Sequence, residues 1–265
     1  MKKKKYLVIG NPIEHSLSPK LHNYWIKMNN INAIYEKEKL NNNDLEALVL
    51  RVRKKEISGV NITVPFKRDI IKHIDNLSPG AEITQSVNTI HLENDKILGS
   101  NTDIMGFEFA IKHTNFSLKN KKIFIIGAGG VVPSVIFALK KMNVSSISIS
   151  NRTKEKAENL KNFFDDLEIV NWGEVPNFDL IINATSLGLN GNDEIKLNLS
   201  DNIEGKFFFD VIYNPKETTF LKKGKKLGNY TENGRMMFIH QAAEAFKIWH
   251  GIEPKMNKEV IGLLD

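Results

Sequence analysis

The 265-residue chain contains no cysteine, which removes disulfides, thiolate nucleophiles and zinc–sulfur centres from consideration. It also has no stretch near the roughly 18 uninterrupted apolar residues that a membrane-spanning helix needs. The basic opening Met1-Lys2-Lys3-Lys4-Lys5 has the charge of a secretory signal. However, the apolar run behind it, Tyr6-Leu7-Val8-Ile9, is short and is stopped by Gly10-Asn11-Pro12, so it reads as a first strand. Internal repeats and low-complexity blocks are missing as well. The net charge of +6 is carried by scattered lysines with no aromatic-and-basic stripe, which points to small anionic ligands rather than nucleic acid. The lack of cysteine fits a reducing cytoplasm, where the chain is expected to work as a monomer or homodimer without metal or membrane.

What is present is the composition of a globular protein, 41% hydrophobic and 26% charged, long enough for one large domain or two modest ones. The first hundred residues alternate short apolar runs with amphipathic ones. Lys5 to Ile9 reads as a strand; Ser18-Pro19 then reads as a helix cap followed by proline at the first helical position, with a helix to about Asn29. Ala33 to Lys39 reads as a strand, Asp44 to Lys54 as a helix and Gly59 to Val64 as a third strand. Val87 to Leu92 and Lys96 to Gly99 form a hairpin pattern around Asn94-Asp95. A second series opens with the strand Lys122 to Ile126, a helix from about Val131 to Met142 and the strand Ser145 to Ser150. Asp179 to Asn183 and Phe207 to Val211 are further strand patterns, and helices close the chain over about Gly234 to His250 and Lys255 to Leu264. This order predicts an α/β fold of two domains with mainly parallel sheets, joined near Asn101 to Gly106, with the last helices returning to the first domain.

The apolar strand before Gly127-Ala128-Gly129-Gly130 runs straight into a helix. Glycines let the backbone approach a pyrophosphate, and the helix N-terminus supplies free N–H groups and a favourable dipole. Val132 stands where a third glycine is usual, and Pro133 falls in the first helical turn, where its missing N–H costs little. About twenty residues on, the next strand ends in Asn151-Arg152-Thr153-Lys154. An NAD site calls for an acidic residue there to hold the ribose hydroxyls. Two cations and a hydroxyl suit the 2′-phosphate of NADP; taken alone, the turn reads as a solvated basic loop with Thr153 capping a helix.

In the first domain, three segments place polar groups at the ends of expected strands, where open α/β sheets bind ligands. Ser16 and Ser18 sit at a helix N-terminus and suit a carboxylate; by itself Ser18 reads as a cap. Asn61 and Thr63 alternate onto one face before Pro65 and Lys67. Asn88, in Ser86-Val87-Asn88-Thr89, suits substrate hydroxyls, and Asp103 follows Asn101-Thr102 where a helix cap is expected. Taken alone, Lys67 reads as a solvated lysine and Asp103 as a cap; only the polar residues around them suggest a proton-handling pair for a small, polar, anionic substrate.

The ordered segments GNPIEHSLSP from Gly10, NITVPFK from Asn61, SVNT from Ser86, GSNTD from Gly99, GAGG from Gly127, NRT from Asn151, NATSLG from Asn183, DVIYNP from Asp210 and NG…HQAAEAF from Asn233 give the chain its resemblance, over essentially its full length, to the shikimate dehydrogenase family. The resemblance implies reversible NADPH-dependent reduction of the C3 ketone of 3-dehydroshikimate to shikimate, in aromatic amino-acid (chorismate) biosynthesis. It implies a substrate domain over 1–102 plus 237–265 and a Rossmann-like NADP domain over 103–236. Ser16 and Ser18 would hold the substrate carboxylate, Asn61, Thr63, Asn88 and Gln241 the ring hydroxyls, and Lys67 and Asp103 the reacting oxygen. Asn183, Ala184, Thr185 and Ser186 would line the dinucleotide cleft. Ile212, Tyr213 and Gly234 match positions around the nicotinamide and substrate, and Tyr213 reads equally as a packing residue. Two departures bear on the cofactor. Arg235-Met236 replaces a leucine and a small residue after Gly234, and Val131-Val132-Pro133 stands where the family often has alanine and arginine. The alternatives are an NAD-preferring quinate/shikimate dehydrogenase and a non-catalytic NADP-binding sensor on the same fold.

Overall fold

The structure is a computed structural model that describes residues 3–190, 193–197, 199 and 203–265. The chain divides into two compact units, one built from residues 1–106 and 239–265, the other from 107–238.

The first unit carries strands β1 (Lys4–Gly10), β2 (Ala33–Lys39), β3 (Gly59–Ile62), β4 (Asn76–Leu77), β5 (Thr89–Glu93) and β6 (Lys96–Ser100). They form one sheet in the order β2-β1-β3-β5-β6-β4. Strands β2, β1 and β3 are parallel, while β5 runs antiparallel to both β3 and β6 as a hairpin. Its helices are α1 (Ser18–Met28), α2 (Leu45–Arg53) and α3 (Pro79–Thr84). On one face of the sheet, Leu45, Leu48, Val49 and Val52 of α2 pack on Leu7, Ile9, Val60 and Ile62. Burial on both faces explains why β1 reads as an unbroken apolar run from Tyr6 to Ile9.

Three boundaries differ from the sequence expectation for physical reasons. Ser18 is the first residue of α1 instead of its cap, which is Leu17 without a side-chain bond, because the backbone is already helical at Leu17, with φ −89 and ψ −1. Strand β3 stops at Ile62 as the chain turns towards Pro65, although the Thr63 N–H still donates to the Ile9 carbonyl at 2.9 Å. Residues Asn42–Asp44 form a 3₁₀ turn ahead of α2, closed by the Asn41 N–H donating to Asp44 Oδ2 at 2.7 Å.

Helix α4 (Asp103–His113) contains the boundary between the units. The second unit holds β7 (Lys122–Ile126), α5 (Val132–Lys141), β8 (Ser146–Ser150), α6 (Lys154–Glu158), β9 (Glu168–Val170), β10 (Leu180–Asn183), β11 (Phe207–Asp210), α7 (Thr219–Lys226) and β12 (Tyr230–Glu232). All six strands are parallel, in the order β12-β11-β10-β7-β8-β9. This is the doubly wound dinucleotide-binding order, with its switch point between β7 and β10, where ligands bind beyond the strand carboxyl ends. Helix α8 (Arg235–His250) contains the second boundary, and α9 (Lys258–Gly262) belongs to the first unit. The last helix is shorter than its pattern suggested because Asn257 caps it, accepting from the Val260 N–H at 3.0 Å. The returning segment packs within the first unit through Trp249, whose ring lies 5.0 Å from that of Tyr6 and whose Nε1–H donates to the Ile90 carbonyl at 3.3 Å.

Candidate active site

The polar residues of the first unit are joined in one hydrogen-bonded chain at the carboxyl ends of its strands. It starts at Tyr35 of β2, and beside it at the start of α1 the Ser18 N–H donates to Ser16 Oγ at 3.3 Å. The Tyr35 hydroxyl donates to Asn61 Oδ1 at 2.6 Å. The Asn61 amide then donates to the Asn88 carbonyl at 3.1 Å and to Thr89 Oγ1 at 3.0 Å. Asn88 Nδ2 donates to Thr102 Oγ1 at 2.9 Å and to Asp103 Oδ1 at 3.0 Å. Asp103 Oδ2 accepts from Lys67 Nζ at 2.5 Å. Ser18, Asn61, Lys67, Asn88 and Asp103 are all buried, so every link forms where water competes poorly.

Local structure fixes the Lys67–Asp103 pair. Lys67 follows the turn through the cis Val64–Pro65 bond, and its carbonyl accepts from the Val87 N–H at 2.8 Å. Asp103 opens α4, where a carboxylate favours the helix dipole, and its N–H donates to Asn101 Oδ1 at 3.1 Å. One carboxylate oxygen is taken by Lys67 and the other by Asn88, which leaves the lysine's remaining ammonium hydrogens for a ligand oxygen. Lys67 and Asp103 are 9% and 5% exposed. Such a pair is poorly explained as a stability device, since burying two charges costs about as much as their attraction returns.

The other residues expected in the substrate site are placed as follows. Thr63 is half-buried and turns its methyl towards Gly10. Gln241 lies half-buried on α8. Tyr213, in the second unit, stacks on Phe238 with ring centroids 4.3 Å apart.

In the second unit, Gly127 follows β7 with φ +111, a left-handed conformation that suits glycine. A Cβ there would lie 2.7 Å from the Ala184 carbonyl oxygen, so the loop after β7 is drawn tightly against the end of β10. Ala128 is half-buried, and Gly129 and Gly130 are exposed ahead of α5, which leaves an accessible helix N-terminus. Beyond β8, Arg152, Thr153 and Lys154 are exposed, with Asn151 half-buried. Thr153 stands at the cap position of α6 without a side-chain cap bond, while Asn151 Nδ2 donates to the Thr153 carbonyl at 2.7 Å. A glycine cradle and two exposed cations one strand away fit a phosphorylated dinucleotide. Gly234 is a second steric requirement, since a Cβ there would lie 2.1 Å from the Val211 carbonyl oxygen. After it, Arg235 is half-buried and Met236 and Met237 are buried.

Sequence reasoning did not find Tyr35, Thr102 or Asp210. Asp210 is fully buried at the end of β11 and accepts from Asn183 Nδ2 at 3.1 Å, the Ile212 N–H at 3.0 Å and the Thr218 hydroxyl at 2.6 Å. Asn183 Oδ1 in turn accepts from the Thr185 N–H at 3.0 Å, so one carboxylate ties together the turns that carry Thr185 and Ile212. Burial pushes the Asp210 carboxyl up to about 6 against the lowering effect of its donors. Its sequence signal was an acid closing the all-aromatic strand Phe207-Phe208-Phe209.

Three family models match the chain: "Shikimate dehydrogenase substrate binding domain" over residues 8–90, "Shikimate / quinate 5-dehydrogenase" over 108–219 and "Shikimate 5'-dehydrogenase C-terminal domain" over 234–256. A shikimate dehydrogenase (NADP(+)) of Pelagibacter ubique is 57% identical over 263 residues, covering 99% of each chain. A crystal structure of a shikimate dehydrogenase in complex with NADP+ superposes with TM-score 0.90 at 35% identity, covering 99% of this chain and 94% of the other. The enzyme from Thermus thermophilus in complex with NADP(H) and shikimate gives 0.88 at 30% identity, covering 98% of each chain.

Proposed function

The chain belongs to the shikimate dehydrogenase family, and from that premise we propose that it catalyses the reversible, NADPH-dependent reduction of 3-dehydroshikimate to shikimate, with Lys67 and Asp103 at the reacting oxygen. It is an NADP-dependent oxidoreductase. The observation that carries the residue assignment is the Lys67–Asp103 contact at 2.5 Å, held at the end of a hydrogen-bonded chain that begins at Tyr35.

When bound, NADPH supplies the hydride. The amides of Gly127 to Gly130 and the N-terminus of α5 would hold its pyrophosphate, and Arg152, Thr153 and Lys154 its 2′-phosphate. Asn183 to Ser186 would line the cleft beyond β10, with Ile212 and Gly234 towards the nicotinamide.

Reduction of a ketone builds negative charge on its oxygen, and a donor must stand within hydrogen-bond reach to neutralise it. The Lys67 ammonium offers that donor. Asp103 orients it and shares its proton, and Asn88 acts by holding the second oxygen of Asp103. Ser16 and Ser18 would bind the substrate carboxylate; Asn61, Thr63 and Gln241 would meet the ring hydroxyls. No acidic residue stands at the end of β8, which supports NADP over NAD.

The experiment that tests the whole reading compares rates on shikimate and quinate, each with NADP+ and NAD+. Shikimate with NADP+ is expected to be the fastest of the four. A faster reaction with quinate or with NAD+ would overturn the substrate or the cofactor separately, and no turnover despite NADPH binding would leave a sensor.

A further inference from the structure

A dinucleotide lies across the switch point of a doubly wound sheet, with one nucleotide over each half. In the second unit β7, β8 and β9 make one half, and β10, β11 and β12 the other. The glycine loop after β7 and the Arg152 turn after β8 belong to the first half, which suits the adenosine end with its 2′-phosphate. The nicotinamide end is left to the turns after β10 and β11, which carry Thr185 and Ile212.

Both of these turns are tied to the fully buried Asp210. Its Oδ1 accepts from the Ile212 N–H at 3.0 Å and from Asn183 Nδ2 at 3.1 Å. Its Oδ2 accepts from the Thr218 hydroxyl at 2.6 Å and from the same Asn183 nitrogen at 3.1 Å. Asn183 carries the tie onward, since its Oδ1 accepts from the Thr185 N–H at 3.0 Å and the Thr185 hydroxyl at 2.8 Å. Its Nδ2 also donates to the Leu187 carbonyl at 3.1 Å. Thr218 in turn caps α7, accepting from the Leu221 N–H at 3.3 Å. Every partner of Asp210 is a donor, and a carboxylate accepts on both oxygens with no hydrogen of its own. An asparagine there would set an N–H against one of these donors. Among the described residues no lysine, arginine or histidine pairs with Asp210, so its burial costs stability without the return of a counter-charge. Stability alone is a poor reason for this carboxylate.

We propose that Asp210 is a positioning residue for the nicotinamide half of the cofactor, fixing the Ile212 turn directly and the Thr185 turn through Asn183. The adenosine half has supports of its own. The Gly127 N–H donates to the Ser150 carbonyl at 2.8 Å, and Ala184, against which Gly127 packs, donates its N–H to the Ile126 carbonyl at 2.8 Å. Losing the Asp210 carboxylate therefore loosens one half of the dinucleotide site and leaves the other in place.

The proposal rests on the reading that the turns after β10 and β11 receive the nicotinamide end, and the test separates the two. Two ligands are titrated calorimetrically into the full chain: NADP+, and adenosine 2′,5′-bisphosphate, which carries the adenosine end alone. The wild type, Asp210→Asn, Thr218→Val, Thr218→Ser and Arg152→Ala are compared, with kcat, KM for NADP+ and for shikimate, and melting temperature recorded for each. Asp210→Asn is expected to lower kcat/KM for NADP+ roughly tenfold or more and to weaken NADP+ binding, with the bisphosphate Kd and the shikimate KM within about twofold. Thr218→Val keeps the side-chain shape without the hydroxyl and is expected to move the same way by a smaller factor, whereas Thr218→Ser keeps the hydroxyl and should match the wild type. The Thr218 pair carries the test if Asp210→Asn folds poorly. Bisphosphate binding weakened as much as NADP+ binding would mean a general structural role and overturn the proposal. So would NADP+ parameters that stay within about twofold of the wild type, or a Thr218→Ser as impaired as Thr218→Val. Unchanged bisphosphate binding in Arg152→Ala would instead overturn the placement of the adenosine end, and the role of Asp210 with it.

Discussion

Lys67 holds a charge in a setting that leaves 9% of the residue exposed, and removing it has two separable consequences. Lys67→Ala deprives Asp103 Oδ2 of its partner and leaves a buried carboxylate held by Asn88 alone, which lowers stability. In the proposed mechanism it also removes the donor at the reacting oxygen. The expected result is a fall in kcat well beyond tenfold, that is, more than roughly 1.4 kcal/mol of barrier, with shikimate binding and melting temperature measured on the same preparation. Turnover within tenfold of the wild type would remove Lys67 from the mechanism. At this scale the sequence was legible for polar residues at strand ends, in that Asn61, Lys67, Asn88 and Asp103 are buried together in one hydrogen-bonded chain. It was not legible for Tyr35, whose partner Asn61 lies 26 residues away and whose own neighbours, Ile34 and Glu36, carry no hint of a polar site.

Between elements, Asp210 joins the ends of β10 and β11, and its ionisation reports on how those turns are held. Its folded value of about 6 lies above the ordinary 3.8, so the folded protein takes up the proton more readily than the unfolded chain. The contribution to stability is therefore fully present below about pH 3.8 and is lost as pH rises through about 6. Asp210→Asn abolishes that titration. The stability of the wild type relative to the variant should fall by roughly 3 kcal/mol between pH 3.5 and 7.5, followed by urea unfolding at a series of pH values; a difference that stays flat would show that burial does not control this carboxyl. The variant's amide would also face the Asn183 amide, donor against donor, adding a pH-independent penalty. The elements themselves were legible where burial makes a strong pattern, as in Lys122 to Ile126 or Phe207 to Asp210. Short edge strands were not: β4 has 2 residues and β9 and β12 have 3 each, too few to show a period. Helix α3 was masked by Pro79-Gly80, which reads as a turn, and α7 by its lysines. Helix α4 carries a readable signal in Ile104, Phe107 and Ile111, at helical spacing, across the stretch where the domains join.

At the level of the whole chain, the first unit is made of two segments, residues 1–106 and 239–265, with 107–238 between them. The later segment is part of its core. Trp25 Nε1–H donates to the Lys255 carbonyl at 3.2 Å, the Tyr24 hydroxyl to Glu259 Oε2 at 2.6 Å, and Trp249 packs on Tyr6. Folding the first unit while the inserted stretch is unfolded means closing a loop of that length, at a cost of roughly 4 kcal/mol. No such cost applies in reverse, because the second unit is one continuous segment with its own core of Phe124, Ile126, Ile181 and Phe208. The second unit is thus expected to fold first and alone. A fragment of residues 103–238 should melt cooperatively and be stabilised by about 2.7 kcal/mol at a hundredfold excess of NADP+ over its Kd. A fragment of residues 1–106 should show no cooperative transition, since its aromatic layer lacks Phe246 and Trp249. Calorimetry of both fragments decides the matter: a sharp transition in 1–106, or none in 103–238, would reverse the order of folding argued from the connectivity.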